Sequence, residues 1–168
     1  MPHAERETCI GRVTIVESAG AITRLHFERD RKPEAAASAE TPLLRRAFRQ
    51  LDEYLASKLE VFDLPLAPQG TLFQQRVWQV LLSIPCGQTW SYKEVARRLG
   101  NPGAARAVGM ANHRNPIPVF IPCHRVIGAD GALAGYGSGI DIKARLLALE
   151  GVYAPCCRTT RTNRYVAL

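Results

Sequence analysis

Ser91-Tyr92-Lys93-Glu94-Val95-Ala96-Arg97-Arg98-Leu99-Gly100-Asn101-Pro102-Gly103-Ala104-Ala105-Arg106-Ala107-Val108-Gly109-Met110-Ala111-Asn112 is the stretch from which the fold is read. Ser91 suits an N-cap, with Glu94 three residues on as in a capping box, so residues 92–99 are expected to be a short helix. Gly100-Asn101-Pro102-Gly103 breaks it. Residues 104–112 make a second helix, and two short helices joined by a tight Gly-containing turn have the size and spacing of a helix-turn-helix. The second helix is built of small side chains, Ala104, Ala105, Ala107, Gly109 and Ala111, around one long cation, Arg106. A major-groove reader needs several polar side chains at base edges. This helix has few, so it suits either shape contact in the minor groove with one inserted residue, or burial in the core through its alanines.

Upstream, Phe73, Val77, Val80 and Leu81 line one face of a helix that begins at Thr71 and stops near Pro85 and Gly87. Residues 64–70, Leu-Pro-Leu-Ala-Pro-Gln-Gly, are rich in helix breakers and read as a linker. Before it, Leu43, Leu44, Phe48, Leu51 and Leu55 recur at helical spacing over residues 42–58 behind Thr41 as N-cap. Residues 29–41 are charged, Ala-rich and unpatterned, which is a loop. Residues 11–27 mix β-branched and apolar residues, Val13, Ile15, Ile22, Leu25 and Phe27, around the turn-forming Ser18-Ala19-Gly20, which suggests a hairpin. The expected fold is an α/β N-terminal domain of a small sheet plus a helix, then a mainly α C-terminal domain with the helix-turn-helix. The expected boundaries are 1–70, 71–155, and a basic tail at 156–168.

Bulk properties narrow the function. The 168 residues are 46% apolar, enough to bury a core. Apolar runs such as residues 77–84 and 117–121 are far below the roughly 18 to 20 residues that span a bilayer, so no membrane partner is expected. Residues 1–11 carry Glu5, Arg6 and Glu7 where a secretory signal needs an apolar run, which points to the cytoplasm. Cysteines at 9, 86, 123, 156 and 157 form no CxxC pair and no zinc-finger spacing, so neither a disulfide framework nor a metal site is expected. Adjacent Cys156 and Cys157 read as two free thiols. The net charge of +7 divides into +8 over residues 71–168 and −1 over residues 1–70. That asymmetry suits a polyanion, because neutralising phosphates releases condensed counterions.

Ile121-Pro122-Cys123-His124-Arg125-Val126 is the chemical centre. A free thiol has a pKa of about 8.5 and is mostly protonated at neutral pH, so a sulfur nucleophile requires a base. His124 is the nearest base. Adjacent side chains on an extended segment point apart, so His124 acts either through a water or after a local turn.

This segment resembles the O6-alkylguanine-DNA alkyltransferase family, whose signature is a Pro-Cys-His-Arg box after an Asn-Pro that ends a helix-turn-helix. Here these are Asn115-Pro116 and residues 122–126. The likeness continues through Phe73-Gln74-Gln75-Arg76-Val77-Trp78, Ser91-Tyr92, residues 104–109, Gly135-Tyr136-Gly137 and residues 146–151. It covers roughly residues 71–151. The resemblance implies that Cys123 takes an alkyl group from O6 of guanine in double-stranded DNA, irreversibly and without a cofactor. It implies that His124 deprotonates Cys123 through water, and that Glu150 holds His124 in the right tautomer. Asn115 is implied as a hinge bonding the backbone around the active-site turn. Arg106 is implied as the finger that fills the gap left by an extruded nucleotide, with Ala104, Ala105, Ala107 and Gly109 beside it on the DNA. Tyr92 is implied to turn the 3′ phosphate and to donate to the base. Tyr136, Gly137, Ser138, Val126 and Pro118 are implied as the substrate pocket. Some members carry serine directly after the tyrosine, whereas this chain has Gly137 first and Ser138 second, which removes a hydroxyl contact to O6 and leaves room for larger alkyl groups. The Cys/His cluster that binds zinc in some members is not evident around Cys9 and His26. A monomer is implied, with cooperative DNA binding left open.

Two other classes stay open at this point. A non-enzymatic DNA-binding regulator or lesion flag would bind without alkyl uptake, and the presence of Cys123 speaks against the flag. A cysteine hydrolase built on Cys123 and His124 would turn over esters or peptides, but no oxyanion-hole motif accompanies the pair.

Overall fold

The computed structural model describes residues 1–28, 40–133 and 135–152. Most of the expected loop at 29–41, and the whole tail at 156–168 with Cys156 and Cys157, lie outside the described residues. The fold is a small antiparallel sheet with a helix followed by a mostly helical region. The described chain forms two compact units, one from Met1–Gln69 with Pro116–Phe120, the other from residues 70–115 with the chain after Phe120. The boundary expected at residue 70 thus misses one feature: a short segment past residue 115 returns to the first unit.

In the first unit, β1 (His3–Thr8), β2 (Gly11–Ser18) and β3 (Ala21–Phe27) form an antiparallel sheet in the order β1-β2-β3. The β2–β3 turn falls on Ala19 and Gly20, both at positive φ, as a tight hairpin requires. The apolar residues of the expected hairpin, Val13, Ile15, Ile22, Leu25 and Phe27, are all buried. A bulge at Val16 and Glu17 shifts the register. Helix α1 (Pro42–Leu55) is capped by Thr41, whose hydroxyl accepts from the Leu44 amide at 3.1 Å. It packs on the sheet through Leu44, Phe48, Leu51 and Tyr54. Phe120 closes this core by an edge contact with Phe62, ring centroids 4.8 Å apart.

In the second unit, α2 (Leu72–Leu81) opens with a complete capping box between Thr71 and Gln74. Trp78 is buried on its inner face and donates its indole N–H to the Ala111 carbonyl at 2.9 Å. Strand β4 (Trp90–Ser91) leads into α3 (Tyr92–Arg98), capped by the Ser91 hydroxyl. The capping box expected there closes on one side only. Glu94 turns its carboxylate to Arg97 and Arg98 at 2.5 and 3.0 Å, because two guanidiniums one turn on outbid a single amide. A 3-10 turn at Pro102–Ala104 leads to α4 (Ala105–His113), which packs on both α2 and α3. A second 3-10 turn, Cys123–Arg125, runs into β5 (Val126–Ile127), which pairs in parallel with β4. Helix α5 (Ile140–Leu149) buries Ile142, Leu146 and Leu147. Among the described residues no helix is long and apolar enough to cross a membrane.

Candidate active site

Cys123 is 3% exposed and begins the 3-10 turn, so the segment is not extended as its neighbours in sequence suggest. Its amide donates to the Ile121 carbonyl at 2.8 Å and the Arg125 amide to the Pro122 carbonyl at 3.1 Å. Two asparagines from the end of α4 hold this turn. Asn115 donates its side-chain amide to the Ile121 carbonyl at 3.0 Å, and Asn112 donates to the Cys123 carbonyl at 3.2 Å. Beyond the turn, β5 sets Val126 opposite Trp90, which ties the thiol to the start of α3.

The turn places His124 inside the unit, fully buried, with Nε2 2.9 Å from Glu150 Oε1. Glu150 caps the C-terminus of α5, and its side chain is 1% exposed. Arg125 grips the same carboxylate, with Nε at 3.1 and 3.0 Å from its two oxygens and an Nη at 2.8 Å. Its other Nη donates to the Ile84 carbonyl at 2.6 Å, and the Gly87 amide donates to Glu150 Oε2 at 3.2 Å. Burial alone would push the Glu150 carboxyl up, but the hydrogen bonds of His124 and Arg125 and the Arg125 guanidinium charge hold it well below the usual carboxylate range. Burial pushes the His124 imidazole down despite the Glu150 carboxylate, so it rests neutral. An ionised Glu150 accepts the hydrogen bond of Nε2–H, which fixes the proton on Nε2 and makes Nδ1 the acceptor.

Burial also pushes the Cys123 thiol up, against hydrogen bonds from Asn115 and Tyr136 and the positive charge of Lys143. Lys143, on α5, is fully buried and donates Nζ to the Val126 carbonyl at 2.5 Å. Burial lowers its ammonium to about 8, opposed by the charge on Cys123. Tyr92 is half-buried at the start of α3, its hydroxyl raised by burial and then by Cys123. A β-carbon at Gly109 would meet its ring at 3.8 Å, and one at Gly135 its hydroxyl at 3.3 Å, so Tyr92 lies between α4 and the loop carrying Tyr136. A β-carbon at Gly137 would stand 3.0 Å from the His113 carbonyl oxygen, which explains why glycine follows the tyrosine here.

The structure therefore brings together Cys123, His124, Glu150 and Asn115, with Val126 and Tyr136 buried beside them in the same unit. Ser138 is buried and Gly137 exposed on the loop after Tyr136. On α4, Arg106 and Ala107 are exposed and Ala104, Ala105 and Gly109 half-buried, while Val108, Ala111 and Asn112 face inward. The helix is both Ala-packed and partly open. Pro118 is buried in the segment at 116–120 that belongs to the first unit. Among the described residues no group of three or more His, Cys, Asp and Glu side chains is placed to hold a metal ion.

Asn112, Arg125 and Lys143 also belong to the site, and the sequence does not single them out. Asn112 and Lys143 share one signal, a polar residue at an inward-facing position of a helix: Asn112 follows Val108 by one turn, and Lys143 sits between Ile142 and Ala144. Arg125 lies inside the Pro-Cys-His-Arg box, but nothing in the sequence around it marks it as the partner of Glu150.

A buried thiol next in sequence to an imidazole whose Nε2 is held by a buried carboxylate is an arrangement that can serve cysteine-based nucleophilic chemistry. The model of the 6-O-methylguanine DNA methyltransferase DNA binding domain matches residues 72–152, and that of the same family's ribonuclease-like domain matches residues 6–68. The chain belongs to the 6-O-methylguanine DNA methyltransferase family. It is 46% identical over 155 residues to a methylated-DNA–protein-cysteine methyltransferase of Methanosarcina acetivorans, covering 90% of this chain and 99% of that one. It is 46% identical over 157 residues to the constitutive enzyme of that name from Bacillus subtilis, covering 89% and 95%. Among solved structures, Mycobacterium tuberculosis OGT in complex with DNA superposes with a TM-score of 0.82 at 44% identity, covering 90% of this chain and 93% of that one.

Proposed function

We propose that the chain repairs alkylated DNA by moving an alkyl group from O6 of guanine onto Cys123, once per molecule. The observation that carries this is the buried, hydrogen-bonded His124–Glu150 pair, with His124 on the same turn as a buried thiol, in a chain of this family. A thiol pushed up by burial needs a base at the moment of reaction. His124 Nδ1 takes its proton through a bridging water, and Glu150 stabilises the imidazolium that forms. The sulfur attacks the alkyl carbon in line; the C–S bond forms as the C–O6 bond breaks, and the electron pair leaves on guanine. Tyr92 donates the proton that makes guanine a neutral leaving group. The product is a thioether, which has no leaving group to regenerate the thiol, so the reaction ends the protein's activity.

In this reading α3 and α4 act as the helix-turn-helix, within the DNA-binding and alkyl-accepting domain. The exposed face of α4, with Arg106 and Ala107, meets the duplex, and Arg106 fills the stack when the damaged nucleotide turns out. Extrusion is required because O6 lies out of a thiol's reach inside the duplex, and it costs a few kcal/mol. The +8 charge of residues 71–168 and the DNA complex of the Mycobacterium tuberculosis relative support duplex DNA as partner. Tyr136, Gly137, Ser138 and Val126 form the base pocket. The protein works as a monomer in the cytoplasm, with sedimentation alone and on duplex checking the first point.

Intact-protein mass after incubation with a duplex containing O6-methylguanine tests the proposal, beside Cys123→Ser. The wild type is expected to gain the mass of one methylene unit and the variant none. Binding without any gain would leave a lesion-sensing or regulatory protein instead. With Gly137 where some members carry serine, the site is expected to take groups larger than methyl, so prior exposure to O6-benzylguanine should block methyl uptake.

A further inference from the structure

Asn112 is a buried asparagine whose arrangement makes poor sense as scaffolding. It is 2% exposed, on the inward face of α4. Its amide nitrogen donates to the Cys123 carbonyl at 3.2 Å, yet its Oδ1 is buried with no hydrogen-bond partner among the described residues. An orphaned buried acceptor destabilises the fold, and an apolar side chain in its place avoids that cost. What the residue does accomplish is specific to the nucleophile. Asn115 holds the carbonyl of Ile121 and Asn112 the carbonyl of Cys123 itself, which also accepts the Val126 amide. The end of α4 thereby fixes the backbone on both sides of the Sγ-bearing carbon, at the helix whose other end carries Arg106.

We infer that Asn112 is a second positioning residue for alkyl transfer, clamping the Cys123 turn so that Sγ meets the alkyl carbon in line. In-line displacement tolerates little misplacement, and about 1 Å of drift costs on the order of a hundredfold in rate. The inference rests on the proposed alkyl transfer to Cys123. It differs from a structural role in one respect: removing the side chain relieves an orphaned polar atom, so stability and activity move in opposite directions.

The groups that face Cys123 and favour its thiolate are Asn115 from the end of α4, Lys143 from α5 and Tyr136 from the loop before it; burial opposes them, and its thiolate in turn faces the Tyr92 hydroxyl of α3. A slack turn loses alignment with these donors, so the thiol's titration moves upward.

The test compares the wild type with Asn112→Met by melting temperature, affinity for lesion-free duplex, and single-turnover methyl transfer at saturating O6-methylguanine duplex. It adds the pH midpoint of Cys123 modification by iodoacetamide, which needs no DNA. Asn112→Met is expected to melt no lower than wild type and to bind duplex within about twofold. Its methyl transfer is expected to fall about 10- to 100-fold, and its iodoacetamide midpoint to rise. An unchanged transfer rate, a loss of folding or melting temperature in parallel with rate, or a loss of DNA affinity as large as the loss of rate would each overturn the inference. If the wild type itself takes no methyl group, the proposed function fails, and an unchanged iodoacetamide midpoint in Asn112→Met would then sink the clamp as well.

Discussion

Glu150 is the residue on which the site turns, because its two oxygens serve His124, Arg125 and the Gly87 amide at once. Breaking a buried ion pair by removing one partner strands the other charge, at about 3–5 kcal/mol, whereas removing both charges together is far milder. Arg125→Ala is therefore expected to lose about 3–5 kcal/mol in urea denaturation, and Arg125→Ala with Glu150→Gln to recover part of that. A single variant within about 1 kcal/mol of wild type would mean that Glu150 is held by other contacts. The same residue shows how far the sequence was legible. Cys123 and His124 stand out as thiol and imidazole in one box, and Glu150 does not: alone it is one acidic residue at a helix end, and only the family resemblance singles it out. Its partner Arg125 and the buried Lys143 were hidden for a physical reason. Long cations are normally solvated, and nothing local marks the ones whose charge a distant carbonyl or carboxylate will take up.

At the scale of elements, local chemistry decided most of what was readable. Thr41, Thr71 and Ser91 each accept the backbone amide three residues on, and the hairpin turns at Ala19 and Gly20. Strand β1 was missed, since His3–Thr8 carries no apolar alternation and buries only His3 and Ala4; pairing with β2 forms it. At Cys123 the sequence left a local turn and an extended segment both open, and the hydrogen bonds of Asn112 and Asn115 that hold the 3-10 turn come from residues distant along the chain. Out of reach was Val119, a buried β-branched residue at φ +75, where a local rule would demand glycine. Two variants separate cap from site. Thr71→Ala removes the capping box of α2 and is expected to cost about 1 kcal/mol in denaturation with methyl transfer unchanged. Gly87→Ala is different in kind. Gly87 sits at φ +77 to aim its amide at Glu150, so a side chain there strains the backbone by about 1–2 kcal/mol and slackens the carboxylate. It is expected to slow methyl transfer as well as lower stability, and an unchanged rate would show that the amide is dispensable.

Across the whole molecule, three buried titrating groups tilt stability the same way with pH. His124 is held neutral inside, while in the unfolded chain it takes a proton near pH 6.5, so between that pH and its lower folded value the unfolded state binds more protons and stability falls as pH falls. Glu150 adds to this lower down. Its folded carboxyl stays ionised well below the usual range, so the stability it contributes is present above about pH 4.5 and is lost on further acidification. Lys143 acts at the alkaline end, gaining stability for the fold as pH rises from about 8 toward the ordinary lysine range. The formal charge of +7 works in the same direction, since acid adds more positive charge to a chain that already repels itself. Melting temperature is therefore expected to drop steadily from pH 7 to pH 5, the window in which His124 alone of these three titrates in the unfolded chain. His124→Gln keeps a donor toward Glu150 and removes the titration, so its melting temperature should be flatter over that window. A variant that falls as steeply as wild type would place the acid sensitivity in surface carboxylates rather than in the buried imidazole.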